Sequence, residues 1–148
     1  IQGQITDNWN FSAGYSNTLV ESAVGARLQT NRPRELVRLF TTYRLPDNLN
    51  KITIGGGVTW QGGLFTNFNK PTGSFNANGN PVTSPTRVDQ GSFALLNLMA
   101  RYQVTDNFSA ALNINNLTDK HYYRNIGFYQ GVHWGEPRNI QLTAKYSF

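Results

Sequence analysis

The sequence predicts an all-β fold, an antiparallel up-and-down transmembrane β-barrel of which this chain forms a part. Three observations predict it. Hydrophobicity alternates with a period of two along most strand-like runs, tight turns alternate with long polar connections, and the last run, Ile140-Gln-Leu-Thr-Ala-Lys-Tyr-Ser-Phe148, ends the chain on an aromatic. Successive side chains of a strand point to opposite faces, so a period of two means one face in an apolar medium and the other in a polar one. Composition agrees. Aromatics reach 13%, Gly numbers 14 and only 14% of residues are charged, a mix suited to strands and turns. Mean hydropathy is −0.45 and no run of eighteen apolar residues exists, which excludes helical membrane spans but not a barrel, whose strands are only half apolar.

In chain order the expected strands are 1–5, 8–16, 34–45, 51–61, 92–104, 107–117 and 138–148. Three short turns, Thr6-Asp7-Asn8, Pro46-Asp47-Asn48 and Thr105-Asp106-Asn107, each join two of them. Asp and Asn side chains bond nearby backbone and tolerate left-handed geometry, and Pro presets φ, so each turn makes its flanking strands antiparallel neighbours. Between the turns lie polar connections over 17–32, roughly 63–90 and 118–136. The middle one, dense in Asn, Gly, Pro and Ser, reads as a long loop. Short turns at one end and long loops at the other is the pattern of outer-membrane barrels.

The faces sort cleanly. Trp9, Phe11, Ala13, Tyr15, Val37, Leu39, Thr41, Tyr43, Ile52, Ile54, Gly56, Val58, Trp60, Leu96, Leu98, Leu112 and Ile114 lie on one face. Arg38, Arg44, Thr53, Asn97, Arg101, Gln103, Asn113, Asn115 and Lys145 share the other. Apolar middles with Trp or Tyr near strand ends suit a lipid belt between aromatic girdles. A soluble β-sandwich binding module would also alternate, yet its polar face would carry many Lys and Glu where this one leans to Asn, Thr, Gln and Arg. A small self-contained outer-membrane barrel of eight strands, structural or adhesive, is the other alternative. Ile1 already lies in a strand and the one Met is Met99, so the chain reads as a piece of a longer protein with an authentic C-terminus.

No catalytic constellation emerges. Several of the carboxylates (Asp7, Asp47, Asp106) are turn residues, and no pair has acid/base spacing. Cysteine is absent, and His121 and His133 stand twelve residues apart without further ligands, so no metal site is expected. Gly55-Gly56-Gly57 falls mid-strand, where glycine marks a bulge or close packing. The net charge of +5 is scattered with no basic stripe, so no nucleic-acid partner is expected.

Asn113-Ile-Asn-Asn-Leu-Thr-Asp-Lys-His-Tyr-Tyr123 resembles the strand-and-loop signature near the end of TonB-dependent outer-membrane receptors, with Thr118 where that family usually has Phe. Gly135-Glu-Pro-Arg-Asn139 is similar to the element that opens their final strand. Ile140, Leu142, Ala144, Tyr146 and Phe148 resemble the terminal aromatic signal read by the barrel-assembly machinery. Tyr122-Tyr-Arg-Asn-Ile-Gly-Phe-Tyr129 looks most like the ferric-siderophore branch, with hydroxamate or pyoverdine-type ligands. The resemblance implies that residues 1–148 are the C-terminal portion of a 22-stranded barrel in a Gram-negative outer membrane, with the plug domain and TonB box outside the chain. It implies a receptor and transporter for ferric siderophores, energised by the TonB complex through the missing N-terminal part, and not an enzyme. Iron would arrive as a ferric-siderophore ligand, so no cofactor is expected. Outer-membrane lipid and lipopolysaccharide are the remaining partners. Ligand contact, if made here, falls to Trp60, Tyr122, Tyr123, Phe128, Tyr129, His133 and Trp134, since aromatic walls with a few polar groups suit bulky chelates. The same rings also suit an outer girdle or loop packing. Arg138 reads as a loop-base anchor.

Overall fold

A computed structural model describes residues 1–128 and 131–148, Phe128 through its backbone alone. Its frame is one seven-stranded antiparallel sheet made of β1 (Gln2–Thr6), β2 (Trp9–Asn17), β3 (Glu35–Arg44), β4 (Ile52–Gln61), β7 (Phe93–Gln103), β8 (Phe108–Asn115) and β11 (Asn139–Tyr146), adjacent in that order. These are the seven expected strands, within two residues at every end. The turn after β3 carries a single 3₁₀ turn, Asp47–Leu49, with Asp47 at φ 53°. The meander puts the three tight turns at one end and the three long connections at the other.

Two of those connections are not loops. The stretch expected as one connection over 63–90 forms a hairpin of β5 (Leu64–Phe75) and β6 (Pro81–Gln90). The connection at 118–136 holds a second hairpin of β9 (Tyr123–Phe128) and β10 (Gly131–Trp134). The Asn/Gly/Pro density that read as a long loop runs into both strands, with Asn67, Asn69, Pro71, Gly73 and Pro85 inside them, and at the tip Asn76 Oδ1 accepts the N–H groups of Asn78 and Asn80. Its strands alternate polar and β-branched residues with few aliphatics, so no hydrophobic period marked them. The connection over 17–32 stays irregular apart from a bridge between Glu21 and Arg27.

Register carries the two-faced pattern across all seven strands. Tyr15, Val37, Trp60 and Ala94 pair in sequence, as do Ala13, Leu39, Val58 and Leu96. On the far side Ala100, Leu112 and Leu142 pair, as do Leu98, Ile114 and Ile140. Thr41 interrupts the apolar face, and its hydroxyl is satisfied there, donating to the Asn10 carbonyl (2.9 Å) and accepting from Trp9 Nε1 (2.7 Å). Gly55 and Gly57 let β3 and β4 close on each other: a Cβ at either would lie 2.7 Å from a β3 carbonyl oxygen.

No second layer of this chain covers the apolar face. Leu39 is 49% exposed, Leu98 45% and Leu142 74%. A sandwich would bury these positions between two sheets, so the sandwich alternative is contradicted. The sheet is also open, with β1 and β11 at opposite edges. It therefore does not close into the small eight-stranded barrel. The buried hydrophobic residues among those described, Leu64, Phe93 and Ile126, lie instead at the long-connection end, where the two hairpins meet the sheet.

Candidate ligand-binding surface

The long-connection end is built on a polar knot at the end of β8. Asn116 is 4% exposed, with φ 50°, a left-handed conformation that Asn accepts more readily than most residues. Its side chain holds both ends of the 116–138 connection. Nδ2 donates to the carbonyls of Lys120 and Glu136 (3.0 Å each), and Oδ1 accepts from the Lys120 N–H (2.8 Å). Its own N–H donates to Asn97 Oδ1 on β7. Asn115 Nδ2 reaches Asn139 Oδ1 across β8 and β11, and Asp119 Oδ1 accepts from the Arg138 N–H (2.8 Å). The Asn-Asn-Leu-Thr-Asp run and the Pro-Arg-Asn run are thus two halves of one clasp. Arg138 is held there at the loop base, its guanidinium 3.4 Å from the Leu117 carbonyl.

Above the clasp the connection packs aromatic on aromatic. The Tyr122 ring stacks on Phe93, centroids 4.6 Å apart, and lies over Gly135, where any Cβ would enter the ring. Tyr123 pairs with Trp134 across the hairpin, rings 4.5 Å apart, and its N–H donates to Gln90 Oε1 (2.8 Å). Ile126 is fully buried. Gly127, at φ 84°, sits where a Cβ would lie 2.6 Å from Thr66 Oγ1, so β9 rests directly on β5. The first hairpin is fixed by an Arg87 guanidinium that covers the Phe65 ring at 3.8 Å and forks onto Asp89, with a shortest N–O distance of 2.7 Å. The hydrogen bond from Arg87, aided by its charge and opposed by desolvation, holds the Asp89 carboxyl below its ordinary range. Phe65 N–H donates to the Thr30 carbonyl, which ties the 17–32 connection to the same cluster.

The structure brings Tyr122, Tyr123, His133 and Trp134 together. His133 lies in register with Asn125, and Trp134 is 62% exposed. Trp60 stands apart: register places it on the apolar sheet face between Val37 and Ala94. Phe128 ends β9, and Tyr129 lies outside the described residues. Phe93, Gln90 and Asn116 were not among the expected site residues, although all three organise it. Asn116 was inside the quoted signature, but a buried Asn in left-handed geometry looks like any turn Asn in sequence. Among the described residues no group of three or more His, Asp or Glu converges on a metal position. The surface offers ring faces, amides and a few cations, which suits binding.

Comparison with known proteins agrees along the whole chain. Residues 1–117 match the family model described as TonB dependent receptor-like, beta-barrel. The ferripyoverdine receptor of Pseudomonas aeruginosa is 36% identical over the full chain, which covers 17% of that protein. The ferric-pyoverdine BN7/BN8 receptor of Pseudomonas putida is 40% identical, again over the full chain and 16% of the relative. The crystal structure of the P. aeruginosa outer-membrane ferripyoverdine receptor bound to ferripyoverdine superposes with a TM-score of 0.85 at 35% identity, over 99% of this chain and 18% of that one. The chain thus spans about one-sixth of the curated relatives it matches. A sheet with one oily and one polar face, tight turns at one end and built hairpins at the other, is their barrel wall, and this chain belongs to the TonB-dependent receptors of the outer membrane.

Proposed function

We propose that the chain is the C-terminal portion of a 22-stranded barrel whose parent takes up a ferric siderophore of the pyoverdine or hydroxamate type, energised by the TonB complex. The observation that carries this reading is the extent of the likeness: 36–40% identity to ferric-pyoverdine receptors over all 148 residues. In this reading the apolar face meets lipid and the polar face meets the lumen. The open edges β1 and β11 each pair with a further strand, since unpaired backbone in hydrocarbon costs on the order of several kcal/mol per group. Ile140, Leu142, Ala144, Tyr146 and Phe148 present one exposed row to the barrel-assembly machinery. Tyr122, Tyr123, Phe128, Tyr129, His133 and Trp134 line the outer approach to the ligand, and Trp60 belongs to the girdle. The outer surface meets lipopolysaccharide. Iron travels as ferric-siderophore ligand, with no protein-held cofactor.

The test is uptake of radioiron by cells carrying the full-length receptor, given as ferric pyoverdine, as a ferric hydroxamate and as a ferric catecholate. Uptake of one of the first two, lost when TonB is deleted, is the expected result. Uptake of the catecholate alone, or uptake indifferent to TonB, overturns it.

A further inference from the structure

The β5–β6 hairpin ends in Asn76-Ala-Asn-Gly-Asn80, every residue of it exposed. Asn78 is the one asparagine of the sequence that is followed by glycine. A side-chain amide can be attacked by the backbone nitrogen of the next residue, and a side chain on that residue crowds the approach. Asn113 and Asn139 precede isoleucine, Asn116 precedes leucine, and Asn80 precedes Pro81, whose nitrogen carries no hydrogen. Glycine removes the obstacle. A Cβ built on Gly79 would meet nothing within 4 Å, so the space beside that nitrogen is open.

Asn76 braces this turn. Its Oδ1 accepts the Asn78 N–H (3.0 Å) and the Asn80 N–H (2.9 Å). Its own N–H donates to the Asn80 carbonyl (2.8 Å), and its carbonyl accepts the Gly79 N–H (2.9 Å). Gly79 stands at φ 76°, the left-handed geometry that completes the turn. The nitrogen that would react is therefore engaged while the tip is closed, and none of these bonds uses the Asn78 side chain. Below the tip the ladder is interrupted. Pairing slips between Pro71–Thr83 and Phe75–Pro81, and neither proline has an N–H to give it. Exposed tips with little packing open at small free-energy cost. Opening frees the Gly79 nitrogen beside an unencumbered amide.

We propose that Asn78–Gly79 is a self-modification site, where the chain converts an amide to a carboxylate without an enzyme, at a rate set by the Asn76 brace. The Gly79 nitrogen gives up its proton to solvent and bonds to the Asn78 side-chain carbonyl carbon. The Cγ–Nδ2 bond breaks and ammonia leaves, which closes a succinimide ring. Water then opens the ring. Attack at Cγ breaks the new bond and leaves aspartate. Attack at the main-chain carbonyl breaks the original peptide bond and leaves iso-aspartate, with the chain now running through the side chain. One water enters for one ammonia lost, and nothing is oxidised or reduced. Both products put a negative charge on a tip whose residues 71–86 carry none. The iso form also lengthens the main chain by one carbon, so the Gly79 N–H no longer falls on the Asn76 carbonyl and the hairpin end frays. Older molecules of the receptor thus differ from newer ones in charge and order at this surface.

The test is incubation of the full-length receptor in detergent, in mildly alkaline buffer made with heavy-oxygen water, followed in time by peptide mass spectrometry. The expected result is that the peptide spanning 76–80 gains aspartate and iso-aspartate forms, each with one heavy oxygen, ahead of every other asparagine peptide of the 148 residues. Asn76→Ala removes the two side-chain bonds of the brace. It should react about tenfold faster, the factor that corresponds to about 1.4 kcal/mol, on the order of what such bonds contribute. Asn78→Gln, whose longer side chain closes a less favourable ring, should show almost no gain at this peptide. A 76–80 peptide that stays unmodified while other asparagines react overturns the proposal, as does a rate that Asn76→Ala leaves unchanged.

Discussion

The seven-stranded sheet and the hairpin cluster at its outer end come from one chain but are held by different forces. The sheet has extensive ladder hydrogen bonding and almost no buried side chains of its own; its leucines face outward, about half exposed at Leu39 and Leu98 and more so at Leu142. In the cluster β9 and β10 are short while β5 and β6 run 12 and 10 residues. The cluster buries Leu64 and Ile126 and packs Tyr122 on Phe93 at the start of β7; Leu64, Phe93 and Ile126 are the buried hydrophobic residues among those described. A protein that folds in water hides its apolar surface internally, as the cluster does. A protein that folds in lipid leaves that surface for the solvent it lives in, as the sheet does. The boundary between the regimes is the Asn116 clasp.

Substitutions break that contrast differently in the two regions. A cation on the apolar face should cost most. Leu98→Lys, mid-strand on β7, is expected to destabilise the full-length receptor in lipid vesicles by about 2–4 kcal/mol, the range for Lys near a bilayer midplane. Met99→Lys, one residue on and on the opposite face, should cost far less. Equilibrium urea unfolding of both variants checks this, and equal losses would break the assignment of faces.

Asn116→Ala removes the bonds that join the ends of the 116–138 connection and leaves the Lys120 N–H and the Lys120 and Glu136 carbonyls without that partner. A local loss of about 1–3 kcal/mol is expected, seen as faster hydrogen exchange over 117–136 with the sheet unchanged. Ile126→Val should cost less, about 0.5–1.5 kcal/mol, because one methylene leaves a packed site. Exchange should quicken in β9 and β10 only. A global effect from either variant would mean that the cluster and sheet are one cooperative unit.

The smallest effect is electrostatic. Arg87 depresses the Asp89 carboxyl, so the pair's contribution is present above the ordinary carboxylate value of 3.8 and is lost as pH falls through the depressed one. Exchange in β5 and β6 should therefore be insensitive to this pair from neutral pH down to mildly acidic pH and quicken only in strong acid. Arg87→Gln should abolish the acid-dependent part.

The sheet was legible in the sequence because its physics is periodic. A two-residue repeat, with Asp-Asn turns fixing neighbours, was enough to set Trp9, Tyr43 and Leu112 on one face and to make β3 and β4 adjacent; that Trp9 stands opposite Tyr43 and Leu112 opposite Leu142 comes from the structure. The hairpins were not legible, because Leu64–Phe75 and Pro81–Gln90 carry polar residues on both faces and have no hydrophobic period to read. Their order comes from contacts distant in sequence, such as Tyr123 N–H with Gln90 and Gly127 against Thr66. Trp60 shows the same limit from the other side. Its parity, shared with Val58, was read at once and puts it on the oily face, but parity does not choose between a girdle ring and a ligand contact at the strand's outer end.

The most direct test of the two-faced wall uses adjacent positions on β8. Leu112→Cys and Asn113→Cys, each in a full-length receptor otherwise free of cysteine, are labelled with a small fluorophore and placed in vesicles whose acyl chains carry bromine. Strong quenching at 112 and little at 113 is the expected result, since neighbouring strand residues point to opposite faces. Equal quenching at both, or stronger quenching at 113, would contradict a wall whose leucines meet lipid and whose asparagines meet the lumen.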